Sequence, residues 1–76
     1  MNRTKEIIAI IKKVLETSEK ITLYTNLQKA GMDSLSFITA VIEIENQFGI
    51  EFPDDCLVLS EEMTVKDIVQ LANDVL

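Results

Sequence analysis

Along the first sixteen positions, apolar residues recur in steps of three and four. Ile7, Ile8, Ile11, Val14 and Leu15 mark one side, with Lys12, Lys13 and Glu16 between them. That period predicts an amphipathic helix over residues 4–16. From 17 to 33 the period is lost, and Thr, Ser, Asn and Gly surround isolated Ile21, Leu23, Tyr24 and Leu27. So long a connection is uncommon inside a compact domain, so it is expected either to be tied down by its apolar residues or to be functional. A short helical turn over 27–30, closed by Gly31, fits the left-handed backbone that glycine tolerates. A second helix is predicted from Asp33 or Ser34 to about Phe48. Its apolar residues Leu35, Ile38, Val41, Ile42 and Phe48 share a broad face, and Gly49 stands where a C-terminal glycine belongs. Ile50-Glu51-Phe52 alternates like a strand but lacks a partner, so an extended link is expected. Pro53, Asp54 and Asp55 open a short third helix over 54–59, with acids at its positive end. Thr64, three residues before Asp67, is close to a capping box and opens a last helix over 65–75. Val65, Ile68, Val69, Ala72 and Leu76 would face the core. The pattern predicts an all-α, small four-helix bundle: three longer helices, a short third one and a long first loop.

Composition narrows the function. Seventy-six residues suffice for one domain, 1–76, and leave little room for a deep catalytic cleft. Apolar residues make up 47%, yet there are only three Phe, one Tyr and no Trp, so the core is expected to be Ile, Leu and Val. The absence of histidine removes the commonest general base and the commonest metal ligand. Cys56 stands alone, so neither an intramolecular disulfide nor a thiolate metal cluster is expected. A small buried hydrophobe is the simpler role, and one free thiol suits a reducing compartment such as the cytoplasm. No apolar run has the length of a membrane span, and MNRTKEIIAIIKKVLE shows no signal-peptide cleavage pattern. The acids lack the alternating spacing of a calcium loop.

Charge is divided along the chain. Residues 1–32 hold six Lys or Arg against three acids, a net of +3, and residues 33–76 hold one Lys against ten acids, a net of −9. The acidic half repels nucleic-acid phosphates and suits partners with basic patches, or serves solubility alone.

The most specific stretch is AGMDSLSF, residues 30–37. Asp33 is suited to cap the second helix, which makes Ser34 its first residue, with the hydroxyl outward because Leu35 and Ile38 are expected to claim the buried face. Capping alone accounts for these residues. A second reading uses the helix N-terminus, where a phosphate ester sits in a favourable field. Without a nearby base, Ser34 is better suited to be modified by another enzyme than to catalyse.

Gly31-Met32-Asp33-Ser34-Leu35 resembles the G-x-D-S-L attachment motif of the acyl carrier protein family, which includes peptidyl carrier domains. The likeness continues through Phe48-Gly49-Ile50-Glu51-Phe52-Pro53-Asp54 and through Thr64-Val65, over essentially the whole chain. The resemblance implies a carrier rather than an enzyme. Ser34 would bear 4′-phosphopantetheine, transferred from coenzyme A by a phosphopantetheinyl transferase. The arm's thiol would hold acyl or aminoacyl groups as thioesters for loading and chain-processing enzymes. A monomeric, cytoplasmic protein of fatty acid, polyketide or nonribosomal peptide synthesis is expected.

The recognition surface implied by the resemblance is Asp33, Leu35 and the exposed side of the second helix. Phe37, Val41, Glu43 and Glu45 are candidates for it, Phe37 either as an exposed anchor beside the arm or as a core residue. If Glu43 and Glu45 meet basic partner residues, their replacement by Lys should weaken the encounter at low salt. Ser36, Phe37 and Thr39 stand where carriers of fatty acid synthesis usually show acids, and Lys29 and Ala30 where those show an acid and a leucine. The link from Pro53 to Thr64 is longer than theirs. These departures favour a specialised pathway as much as fatty acid synthesis. The competing class is an unmodified helical interaction module, which has no need of Ser34.

Overall fold

The computed structural model describes residues 3–53 and 58–75. Among the described residues three helices follow one another: α1, Arg3–Leu15; α2, Ser34–Phe48; and α3, Val65–Val75. Among the described residues there is no strand, only a single antiparallel bridge between Asn26 and Thr64. The expected short helix over 54–59 falls largely on 54–57, which, like Cys56 and Leu76, lie outside the described residues; 58 and 59 are not helical.

The helical period of α1 brings Ile7 and Ile11 onto one line, and both are fully buried. Lys12 and Lys13 occupy the last turn, where cations interact favourably with the negative end of the helix dipole. The helix stops at Glu16, which takes a left-handed conformation (φ 53°). α1 packs against both α2 and α3, whose contributions to the core are Phe37, Ala40, Val41 and Ile44 on α2 and Val65, Ile68, Val69 and Ala72 on α3. Burying each large aliphatic or aromatic side chain contributes about 1.5–3 kcal/mol before the entropy of ordering is set against it.

The buried face of α2 differs from the expected one. Phe37, Val41, Ile44 and half-buried Phe48 recur at helical spacing and meet the core, while Leu35 and Ile38 are 76% and 42% exposed. The helix is apolar on two sides, and packing against the rest of the core selects between them. Gly49 ends α2 as expected, with φ 65° and its N–H on the Glu45 carbonyl; the Ile50 N–H donates to that carbonyl at 3.1 Å.

The long first loop is held as its apolar residues foretold. Ile21, Leu27 and Met32 are buried. Backbone bonds add a staple to the approach of α3: Leu27 N–H to Met63 O at 3.0 Å, Val65 N–H to Thr25 O at 3.1 Å and Lys66 N–H to Leu23 O at 2.9 Å. The Asn26 side-chain amide donates to Glu61 O at 2.8 Å. At the start of α3 the Asp67 carboxylate accepts the Thr64 N–H at 2.9 Å, one half of the expected capping box.

Candidate functional site

The turn over 27–30 delivers the chain to α2. Ala30 N–H donates to Asn26 O, and Gly31 N–H to Gln28 O, each at 3.0 Å. Gly31 then takes φ 105°, a backbone region closed to side-chain-bearing residues without strain. Met32 follows, 3% exposed, with its N–H on Leu27 O at 3.0 Å. A buried methionine one residue before the cap fixes where α2 begins, and the next two residues emerge at the surface.

Asp33, in extended conformation (φ −112°, ψ −176°), caps α2. Its Oδ1 accepts the Ser36 backbone N–H at 2.8 Å and the Ser36 hydroxyl at 2.7 Å. The Ser36 Oγ in turn accepts the Asp33 N–H at 2.9 Å, closing a reciprocal capping box. Sequence reasoning assigned Ser36 no such role. The signal was present as D-x-x-S, but the familiar box ends in Glu or Gln.

The Ser36 backbone N–H, and after it the Ser36 hydroxyl, hold the Asp33 carboxyl below its ordinary value of 3.8. The sign follows directly. A folded value below the unfolded one means that the carboxylate's contribution is present above the unfolded value and is lost as pH falls through the folded one. Asp33→Asn keeps an acceptor but does not titrate there. Lowering the pH from about 7 to about 3 is therefore expected to depress the melting temperature of the parent more than that of Asp33→Asn. Circular dichroism melts at both pH values check this, and equal losses would remove the charged cap from the account.

Ser34 is the first residue of α2, exposed, and no described residue hydrogen-bonds its hydroxyl. A phosphodiester formed there would lie at the positive end of a 15-residue helix. The other candidates separate. Asp33 and Leu35 are exposed beside Ser34. Phe37 is 1% and Val41 4% exposed, so both are core residues and neither offers a docking surface, because they lie on the side of α2 packed into the core. Glu43 pairs with Lys13 at 3.4 Å across α1 and α2. Glu45 is half-buried, and its Oε2 accepts the Phe52 N–H at 2.7 Å, tying the extended link back to α2. Ile38 and Ile42, 42% and 49% exposed, occupy the outer face instead. Sequence reasoning had assigned both to the core, although the alternative series Phe37, Val41, Ile44, Phe48 was already legible.

Among the described residues no group of His, Cys, Asp or Glu is placed to hold a metal ion, and no helix is long and apolar enough to cross a membrane.

Residues 5–72 match the family described as the phosphopantetheine attachment site. A protein of Ureaplasma parvum named acyl carrier protein homolog is 33% identical over 54 residues, covering 71% of this chain and 68% of its own length. A Mycoplasma genitalium protein of the same name is 29% identical over 79 residues, covering 96% and 88% respectively. No solved structure matches the chain.

Proposed function

This chain belongs to the phosphopantetheine attachment family, whose covalent prosthetic group is 4′-phosphopantetheine, and on that premise we propose that Ser34 is the attachment residue. One observation carries the reading: an exposed hydroxyl, engaged by no described residue, stands at the N-terminus of a helix whose start is fixed by a buried methionine and a capping box. Once attached, the group supplies a terminal thiol that holds acyl or aminoacyl cargo as thioesters.

The residues present fit that group. Forming the ester joins Ser34 Oγ to the phosphorus of the arm and breaks the pyrophosphate bond of coenzyme A, with adenosine 3′,5′-bisphosphate leaving. The Ser34 proton passes to a base of the transferase, because this chain has no histidine and the Asp33 carboxylate is taken up by Ser36. The chain's own contribution is presentation. Gly31, Met32 and Asp33 hold the hydroxyl outward, and tethering cargo there replaces free diffusion with a high local concentration at each partner.

The protein then acts as a single, non-catalytic carrier domain in the cytoplasm, used as a monomer by a phosphopantetheinyl transferase and by acyl- or aminoacyl-handling enzymes. Fatty acid, polyketide or nonribosomal peptide type synthesis supplies its cargo. Partners approach over Asp33 and Leu35, with Glu43 and Glu45 at the two edges of that face.

The test is intact-protein mass before and after incubation with coenzyme A and a broad-specificity transferase, followed by fragmentation of the product. A gain of one phosphopantetheine located on Ser34 is expected. A gain located on any other residue, or none from the folded protein with several transferases, would falsify the assignment.

A further inference from the structure

The turn that delivers Ser34 is anchored from a distant part of the chain. Leu27 stands between the two: its N–H donates to Met63 O, and its carbonyl accepts the Met32 N–H, each at 3.0 Å. Met32 is buried and immediately precedes the capping Asp33. The approach to α3 is thereby linked to the start of α2 through a single residue.

Asn26 braces that link on both sides. Its Oδ1 accepts the Lys29 N–H and its backbone carbonyl the Ala30 N–H, each at 3.0 Å, which closes the turn over 27–30. Its Nδ2 donates to Glu61 O at 2.8 Å, and its backbone pairs with Thr64. These partners fix the orientation of the amide, since a flipped group would set donor against donor and oxygen against oxygen. Among the described residues, no other side chain joins this turn to residues 60–64 by a hydrogen bond. Gly31, at φ 105°, is the freest joint between the turn and α2, so the direction in which α2 departs depends on what anchors residues 26 and 27.

We propose that Asn26 is a positioning residue for the transfer to Ser34: by tying the turn to the Glu61 carbonyl, it holds the Ser34 hydroxyl at the place where a transferase meets it. This rests on the assignment of Ser34. Asn26 touches none of the reacting atoms and acts through Leu27, Met32 and the Asp33 cap. Group transfer is steep in distance, and a displacement of about 1 Å costs up to about a hundredfold in rate.

The test uses Asn26→Ser and Asn26→Asp. Serine keeps an acceptor for the Lys29 N–H but is too short to reach Glu61 O. Aspartate keeps the shape and the acceptor but has no donor. Modification is followed in single turnovers, with coenzyme A saturating and a broad-specificity transferase in excess, well below the melting temperature of each variant. Both variants should lose about tenfold in the saturating rate constant, with half-saturation within about twofold of the parent, because the residues flanking Ser34 are unchanged. A purely structural role moves the other parameter. An unfolded fraction of carrier raises the half-saturation point and leaves the saturating rate constant alone.

Amide hydrogen exchange gives a second readout that needs no transferase. Protection of the Met32 N–H should fall about tenfold relative to that of Ile11 in α1. A saturating rate constant within about threefold of the parent in either folded variant, a loss confined to half-saturation, or Met32 protection that falls only in step with Ile11 would overturn the proposal. A folded parent that gains phosphopantetheine elsewhere, or not at all, removes the assignment of Ser34 and this proposal with it. A parent modified on Ser34 beside variants of unchanged rate removes this proposal alone.

Discussion

Ser34→Ala is expected to accept no phosphopantetheine under any transferase that modifies the parent, while melting within about 1 °C of it. Both halves follow from the same geometry. The methyl group of alanine offers no oxygen for the ester, and no neighbouring hydroxyl replaces it, since Ser36 is locked into the capping box with Asp33. The fold loses nothing, because the Ser34 side chain is exposed and engaged by no described residue, and Ala is a better helix former than Ser. Intact mass and a thermal melt of the same preparation read the two effects separately. The rival interaction module predicts the opposite division: partners bound as before and no mass gained by either protein. Retained modification of Ser34→Ala would move the attachment elsewhere.

Phe37→Ala should remove about 3–5 kcal/mol of stability, the cost of emptying a large aromatic site in a packed core. For a chain of this size that is a large share of a total on the order of 5–10 kcal/mol. Phe37 is 1% exposed and packs in the cluster that also holds Ile7, Ile11 and Ile44. Leu35→Ala, two residues earlier on the outer face, should change stability by no more than about 0.5 kcal/mol while weakening recognition. Urea unfolding of the two variants gives the contrast directly. If Phe37→Ala unfolded at the parental midpoint and lost only its partners, Phe37 would return to the docking surface.

That pair of neighbours shows where a sequence pattern stops being decisive. In α1, charged residues interrupt the apolar period, so Ile7 and Ile11 can face only one way and the helix is legible without a structure. In α2, Leu35, Phe37, Ile38, Val41, Ile42 and Ile44 are all apolar, and no lysine or arginine marks the solvent side. Two faces then satisfy the same period, and the choice rests on which fits the rest of the core. The acids carry a related ambiguity. A Glu on a helix reads as solvated and available, yet Glu45 turns back to the Phe52 N–H and Glu43 to Lys13, partners seven and thirty residues away.

The sequence by itself determined the local features. The starts and stops of α1, α2 and α3, the left-handed places of Gly31 and Gly49, the Asp33 cap and the motif around Ser34 all depend on neighbours within a few residues, through hydrogen bonds and backbone sterics. Tertiary structure alone decided what lies far along the chain: the staple of the first loop to the approach of α3, the burial of Phe37 and Val41, and the exposure of Leu35, Ile38 and Ile42 beside Ser34. Burial is a property of two surfaces meeting, and an apolar residue is compatible with either side of its helix until the partner surface is in place.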